Sequence, residues 1–160
     1  MSKEISPVAL HALQMAMQSE LDTVRIYKKM LKRVKNKKTL SVLEDLIKEE
    51  FDHEKRVKEK FLGAGGEFPE PENDFHLPQR DHLLEIELEN CSSLELINIA
   101  MENERISRDF YVRQRDVAEN DEVREIFNWL VREETQHIKN LKADFEAHKH
   151  NYNEVEYEGE

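Results

Sequence analysis

Leu46-Ile47-Lys48-Glu49-Glu50-Phe51-Asp52-His53 returns 84 residues later as Leu130-Val131-Arg132-Glu133-Glu134-Thr135-Gln136-His137. Each stretch sets an apolar pair ahead of Glu-x-x-His, and a spacing of three places that Glu and His on one face of a helix. The same offset lays Ala16-Met17 on Ala100-Met101, Glu20 on Glu104, Tyr27 on Tyr111, and Lys55, Lys58 and Phe61 on Lys139, Lys142 and Phe145, without a gap. Glu-x-x-His alone is a weak signal, because 26 Glu and seven His generate about one such pair by chance. The weight comes from two copies sharing one offset with a paired Glu and a paired Tyr. Two copies of one helical hairpin are the simplest account.

Apolar residues extend the reading in both directions. Leu10, Leu13, Met17, Glu20, Val24, Tyr27 and Leu31 recur at steps of three and four, the period of a helix face, from a start at Ser6-Pro7 to about Val34. Lys35 to Lys38 reads as a turn. Leu40, Leu43, Leu46, Ile47, Glu50, His53, Val57 and Phe61 form a second stripe that stops at Gly63-Ala64-Gly65-Gly66. Residues 67–80 hold Pro69, Pro71 and Pro78, which predicts an extended crossover, followed by a short helix over about 79–89. Ser92, with Glu95 three residues on, opens a third long helix through a capping box. Its stripe is Ile97, Met101, Glu104, Ser107 or Arg108, Tyr111 and Ala118; Asn120-Asp121 then caps a fourth with Ile126, Leu130, Glu134, His137, Leu141 and Phe145. The pattern predicts an all-α four-helix bundle of two antiparallel hairpins joined by a long crossover between helices 2 and 3. The bundle domain is expected over residues 1–148 and an acidic tail over 149–160.

Composition agrees and excludes much. A chain of 160 residues is about one domain. A net charge of -11 leaves no basic surface for a phosphate backbone, so nucleic acid is not an expected partner. Four Gly, four Pro and 37% charged residues suit helices rather than sheets. The single Cys91 excludes a disulfide framework and any site built from several thiolates. No apolar run reaches signal-peptide or membrane-span length, so a soluble, cytoplasmic protein is expected.

Glu20, Glu50, Glu104 and Glu134 lie on the apolar stripes, at the middle of long helices. Burying a carboxylate costs several kcal/mol unless its charge is compensated. No Lys or Arg sits on those stripes near them, Arg108 aside, so a cation is expected from outside. Two divalent ions would balance four carboxylates, with His53 and His137 completing the ligand set. Oxygen and nitrogen donors without thiolate favour iron, with manganese or zinc as alternatives. Tyr27 and Tyr111, two turns beyond Glu20 and Glu104, are candidates for hydrogen bonding to ligand carboxylates or relaying electrons, and equally for plain core packing. Glu49 and Glu133 fall off the stripe and read as surface charges; Trp129 reads as packing. His11, His76, His82, His148 and His150 have no partner pattern.

One Glu, then Glu-x-x-His, then a second Glu and a second Glu-x-x-His, with a long middle crossover, resembles the ferritin-like di-iron carboxylate superfamily. The Glu20–Tyr27 and Glu104–Tyr111 spacings, with Phe110-Tyr111, are most similar to its rubrerythrin branch, over residues 8–146. The resemblance implies a di-iron redox protein reacting with H2O2 or O2, as a peroxidase or a ferroxidase, with a non-catalytic iron-handling bundle as the alternative. It also implies a homodimer. Rubrerythrins usually carry a further Glu where this chain has Ser107, and a rubredoxin whose four cysteines have no counterpart here, so an electron donor would be a separate protein. Phe51 stands where bacterioferritins place a haem-ligating Met, so no haem is expected.

Overall fold

The computed structural model describes residues 5–67 and 77–150. It contains α1 (Pro7–Leu31), α2 (Lys37–Gly63), a 3-10 turn (Pro78–Arg80), a single-turn α3 (Asp81–Leu84), α4 (Ser93–Val117) and α5 (Asp121–His150). Among the described residues 83% are helical and none is in a strand, which agrees with a ferritin-like bundle. α1 packs chiefly on α2 and α4 on α5, while α1 meets α4 and α2 meets α5 across the bundle. The short connections after α1 and α4 leave each pair antiparallel.

The helix ends follow local chemistry. Ser6 accepts from the Ala9 amide ahead of Pro7. α1 stops at Leu31, three residues short of the expected Val34, with the Arg33 and Val34 amides both turning back to the Met30 carbonyl. The basic run expected as a turn in fact begins α2, because the Asn36 side chain accepts from the Thr39 amide and caps it. α2 closes where Gly65 takes φ +86°, a left-handed conformation that glycine adopts freely. A Cβ on Gly66 would lie 2.5 Å from the Phe61 ring, so the chain needs glycine there too. The short helix expected over 79–89 is reduced to the 3-10 turn and α3. Most of the expected crossover, residues 68–76, lies outside the described residues, as does the tail from residue 151.

Two apolar clusters fill the bundle. One gathers Val24, Met30, Leu43, Leu46, Leu96, Ile97 and Leu141; the other gathers Leu13, Met17, Val57, Phe61, Phe110, Phe127 and Leu130. The buried polar side chains Glu20, Glu50, His53, Glu104, Glu134 and His137 fall along the helices between these groups. The core is therefore two oily layers with an ionisable layer between them.

At the start of α4 the Ser92 Oγ accepts from the Glu95 amide at 3.1 Å while Glu95 Oε2 accepts from the Ser92 amide at 3.3 Å. Ser92→Ala removes the Oγ half of this box, leaving the Ser92 amide to Glu95, and is expected to cost about 1 kcal/mol, read as a lowered midpoint in urea unfolding with an unchanged slope.

Candidate metal centre

Each long helix contributes to the ionisable layer what its stripe dictates. α1 and α4 each present a Glu and, seven residues on, a Tyr. α2 and α5 each present Glu-x-x-His. All six candidate ligands are buried, none more than 3% exposed. They form two groups, Glu20-Glu50-His53-Glu134 and Glu50-Glu104-Glu134-His137, and within each a ligand atom from every member lies within 4.8 Å of the others. Glu50 and Glu134 belong to both. The structure thus brings together the six residues expected as ligands.

Both histidines turn Nδ1 inward. His53 Nδ1 lies 3.2 Å from Glu134 and 3.6 Å from Glu20 and Glu50. His137 Nδ1 lies 2.9 Å from Glu50, 3.5 Å from Glu104 and 3.7 Å from Glu134. These close approaches lack the alignment of hydrogen bonds. Eight buried ligand atoms therefore have no hydrogen-bond partner: Glu20 Oε2, both oxygens of Glu50, His53 Nδ1, Glu104 Oε2, both oxygens of Glu134 and His137 Nδ1. Lone pairs of buried groups are rarely left without a partner. Eight converging orphans of oxygen and nitrogen type fit a pair of cations.

The tyrosines account for the two carboxylate oxygens missing from that set. Tyr27 donates to Glu104 Oε1 at 2.6 Å, and Tyr111 donates to Glu20 Oε1 at 2.6 Å. Each phenol binds the carboxylate of the opposite hairpin. Burial, with the negative charge of Glu104 beside Tyr27 and of Glu20 beside Tyr111, pushes both phenols well above their ordinary value, so both keep their proton.

Three side chains that the sequence left aside reach the centre. Glu49 Oε2 lies 2.5 Å from His137 Nε2 although the carboxylate is half-exposed, so it is an orienting partner for that imidazole rather than a surface charge. Its repeat mate Glu133 groups with His53 and His137. Trp129 stands edge-on to His53, with ring centroids 5.0 Å apart, and carries the Arg56 guanidinium over its other side. Arg108 is no counter-charge for the centre, since it bonds its neighbour Asp109. The internal cation is Arg80, fully buried and bonded to Ser19, Asn103 and Ser107 beside the ligands. No stripe could announce it, because it comes from an irregular segment. Asp52 and Gln136 are exposed, while His148 is buried near the end of α5.

The expectation that all compensation comes from outside needs correction, because the layer also compensates itself. Burial opposes charge on both imidazoles, but Glu134 and Glu20 raise His53 to about 10, and Glu104 and Glu134 raise His137 to about 12. Burial would raise Glu104, yet the nearby Glu134 and His137 and the hydrogen bond from Tyr27 hold it down at about 2. Burial and the charges of Glu104 and Glu20 push Glu134 well up, so the pair keeps a proton on Glu134.

The family model for rubrerythrin matches residues 11–145. The chain belongs to the rubrerythrin family. No curated protein matches it. Among solved structures, a hypothetical protein from Pyrococcus furiosus has the same fold, with a TM-score of 0.63 and 21% identity over 86% of this chain and 88% of that one. Rubrerythrins typically bind iron, and the buried carboxylate and histidine cluster is a metal-binding candidate of that type. Among the described residues no helix is long and apolar enough to cross a membrane.

A histidine raised on folding contributes stability that is complete below its ordinary value of 6.5 and is lost as pH rises through about 10 for His53 and about 12 for His137. The chelated protein should therefore show a melting temperature that declines from neutral pH upward. Co2+ binding should release protons, detected by calorimetry in buffers of different ionisation enthalpy, and the metal-loaded protein should lose the alkaline decline. Glu49→Gln should weaken Co2+ binding by roughly 10-fold, the usual effect of losing an outer carboxylate, with helix content unchanged by circular dichroism.

Proposed function

We propose that this rubrerythrin-family chain is a di-iron redox protein that reacts with H2O2 or O2, reducing peroxide or oxidising ferrous iron. The observation that carries the reading is the sharing of Glu50 and Glu134 by two ligand groups. A structural metal site would need only one group. Glu20, Glu50, Glu134 and His53 would hold one ion, and Glu104, Glu50, Glu134 and His137 the other, each through one unpartnered atom per residue. Four donors complete a tetrahedral zinc site but leave positions free on a metal that takes five or six ligands, which favours iron or manganese. Bound iron supplies the electrons that reduce the O–O bond and the free positions at which the oxidant is held.

The residues of the chain have distinct parts in this proposal. Tyr27 and Tyr111 each occupy one oxygen of a terminal carboxylate and so limit Glu104 and Glu20 to a single donor atom. Both phenols hold their protons on Oη, donated to those carboxylates. The apolar clusters on both sides keep bulk water from the layer. A separate electron-donor protein and a homodimeric assembly belong to the same proposal.

Stopped-flow mixing of the di-ferrous protein with H2O2 tests it. Oxidation within seconds, followed by repeated turnovers when a reductant is supplied, is the expected result. His53→Ala and His137→Ala should each abolish turnover, while His82→Ala, whose imidazole pairs with Glu102 at the surface, should leave it unchanged. Tyr27→Phe with Tyr111→Phe should retain two metals yet slow oxidation by roughly 10-fold, as each freed oxygen takes up an open position. A single, stoichiometric oxidation with no second turnover would instead identify a metal-handling bundle.

A further inference from the structure

Arg80 is the largest side chain fully buried in the described structure. Its guanidinium donates to the Ser19 carbonyl at 2.9 Å and the Ser19 Oγ at 2.7 Å through one nitrogen, and to the Asn103 carbonyl at 3.3 Å and the Ser107 Oγ through the other. Nε has no partner. Every acceptor is a neutral oxygen. Among the described residues no carboxylate pairs with this cation directly, although a buried charge without a counter-charge costs several kcal/mol.

The uncompensated negative charge stands next door. Ser19 precedes Glu20, Asn103 precedes Glu104, and Ser107 lies one turn beyond Glu104. The repeat makes this placement clearer. The 84-residue offset pairs Ser19 with Asn103 and Thr23 with Ser107, so four polar side chains line the contact of α1 with α4 in a two-fold arrangement. Asn103 donates to Thr23 at 3.0 Å in one half, and Ser19 meets Ser107 at 3.3 Å in the other. Arg80 bonds both hydroxyls of the second half and the Asn103 carbonyl of the first, from a segment that has no copy in the repeat.

We propose that Arg80 is a fixed counter-cation of the carboxylate layer: from the crossover it places a permanent positive charge behind Glu20 and Glu104, which lowers the centre's affinity for divalent metal. Arg80 touches no ligand and is a positioning residue, acting through Ser19, Asn103 and Ser107. The sign follows from charge. Two divalent ions bring four positive charges to the layer next to the buried guanidinium. Loading therefore adds positive charge beside Arg80 and is opposed by it. A purely structural role predicts the reverse, since loosening α1 against α4 would spoil the site and weaken binding.

The inference rests on the two-metal reading, and one experiment separates their failures. Co2+ is titrated by calorimetry into chelated wild-type protein, Arg80→Gln, Arg80→Lys and Ser107→Ala, with circular dichroism as a check of helix content. Arg80→Gln keeps hydrogen-bonding capacity without charge and should bind Co2+ at least roughly threefold tighter, an effect below 1 kcal/mol. Arg80→Lys keeps the charge and should stay within about twofold of wild type, as should Ser107→Ala, which removes only a hydroxyl. Weaker or unchanged binding in folded Arg80→Gln overturns the inference. If the Arg80 variants lose their helix content, Ser107→Ala decides: wild-type affinity supports the charge role, and a clear loss of affinity overturns it. If wild type fails to bind two Co2+ per chain, the two-metal reading fails first.

Discussion

Four buried carboxylates in one layer, with oil on either side, govern the rest of this structure. A helix turns about 100° per residue, so a slip of one position on any long helix would carry its Glu out of the layer and against an apolar cluster. The cost of an unpaired buried charge, several kcal/mol, is comparable with the net stability of a whole domain. The layer therefore fixes the register of all four helices. The caps at Ser6, Asn36, Ser92 and Asn120 decide where helices begin, and the carboxylates decide how they stand against one another.

That layer is compensated in part before any metal arrives. Burial and the charges of Glu104 and Glu20 keep a proton on Glu134, and the neighbouring carboxylates raise His53 to about 10 and His137 to about 12. Metal binding then becomes an exchange of protons for cations. The repeat supplies these groups in pairs, whereas Arg80, the one buried Lys or Arg among the described residues, comes from the crossover.

The sequence discloses what repeats and hides what does not. Glu20, Glu50, His53, Glu104, Glu134 and His137 are legible because periodicity puts them on buried faces and the offset pairs them. The four long helices are legible for the same reason. Arg80 is illegible because it sits beside Pro78 in an aperiodic segment, where nothing marks a residue as buried. Glu49 misleads because its Cα lies off the stripe beside Lys48, and only its long side chain carries the carboxylate across to α5. Helix ends shift by a few residues wherever a cap such as Asn36 outweighs the apparent turn signal of a basic run.

The division of labour between the helices sets how many donor atoms face the layer. Without the tyrosines, the four carboxylates and two imidazoles would offer ten donor atoms, enough for five on each ion. The crossed phenols remove one oxygen from Glu20 and one from Glu104, leaving the eight unpartnered atoms that converge in the layer. Shared evenly, these would give four donors to each of two ions, with Glu50 and Glu134 belonging to both groups. Arranged in this way, α1 and α4 limit the coordination number while α2 and α5 supply the bridges and imidazoles. The side chains that look least like ligands, two tyrosines buried in apolar clusters, thus set how many carboxylate oxygens stay unpartnered in the layer.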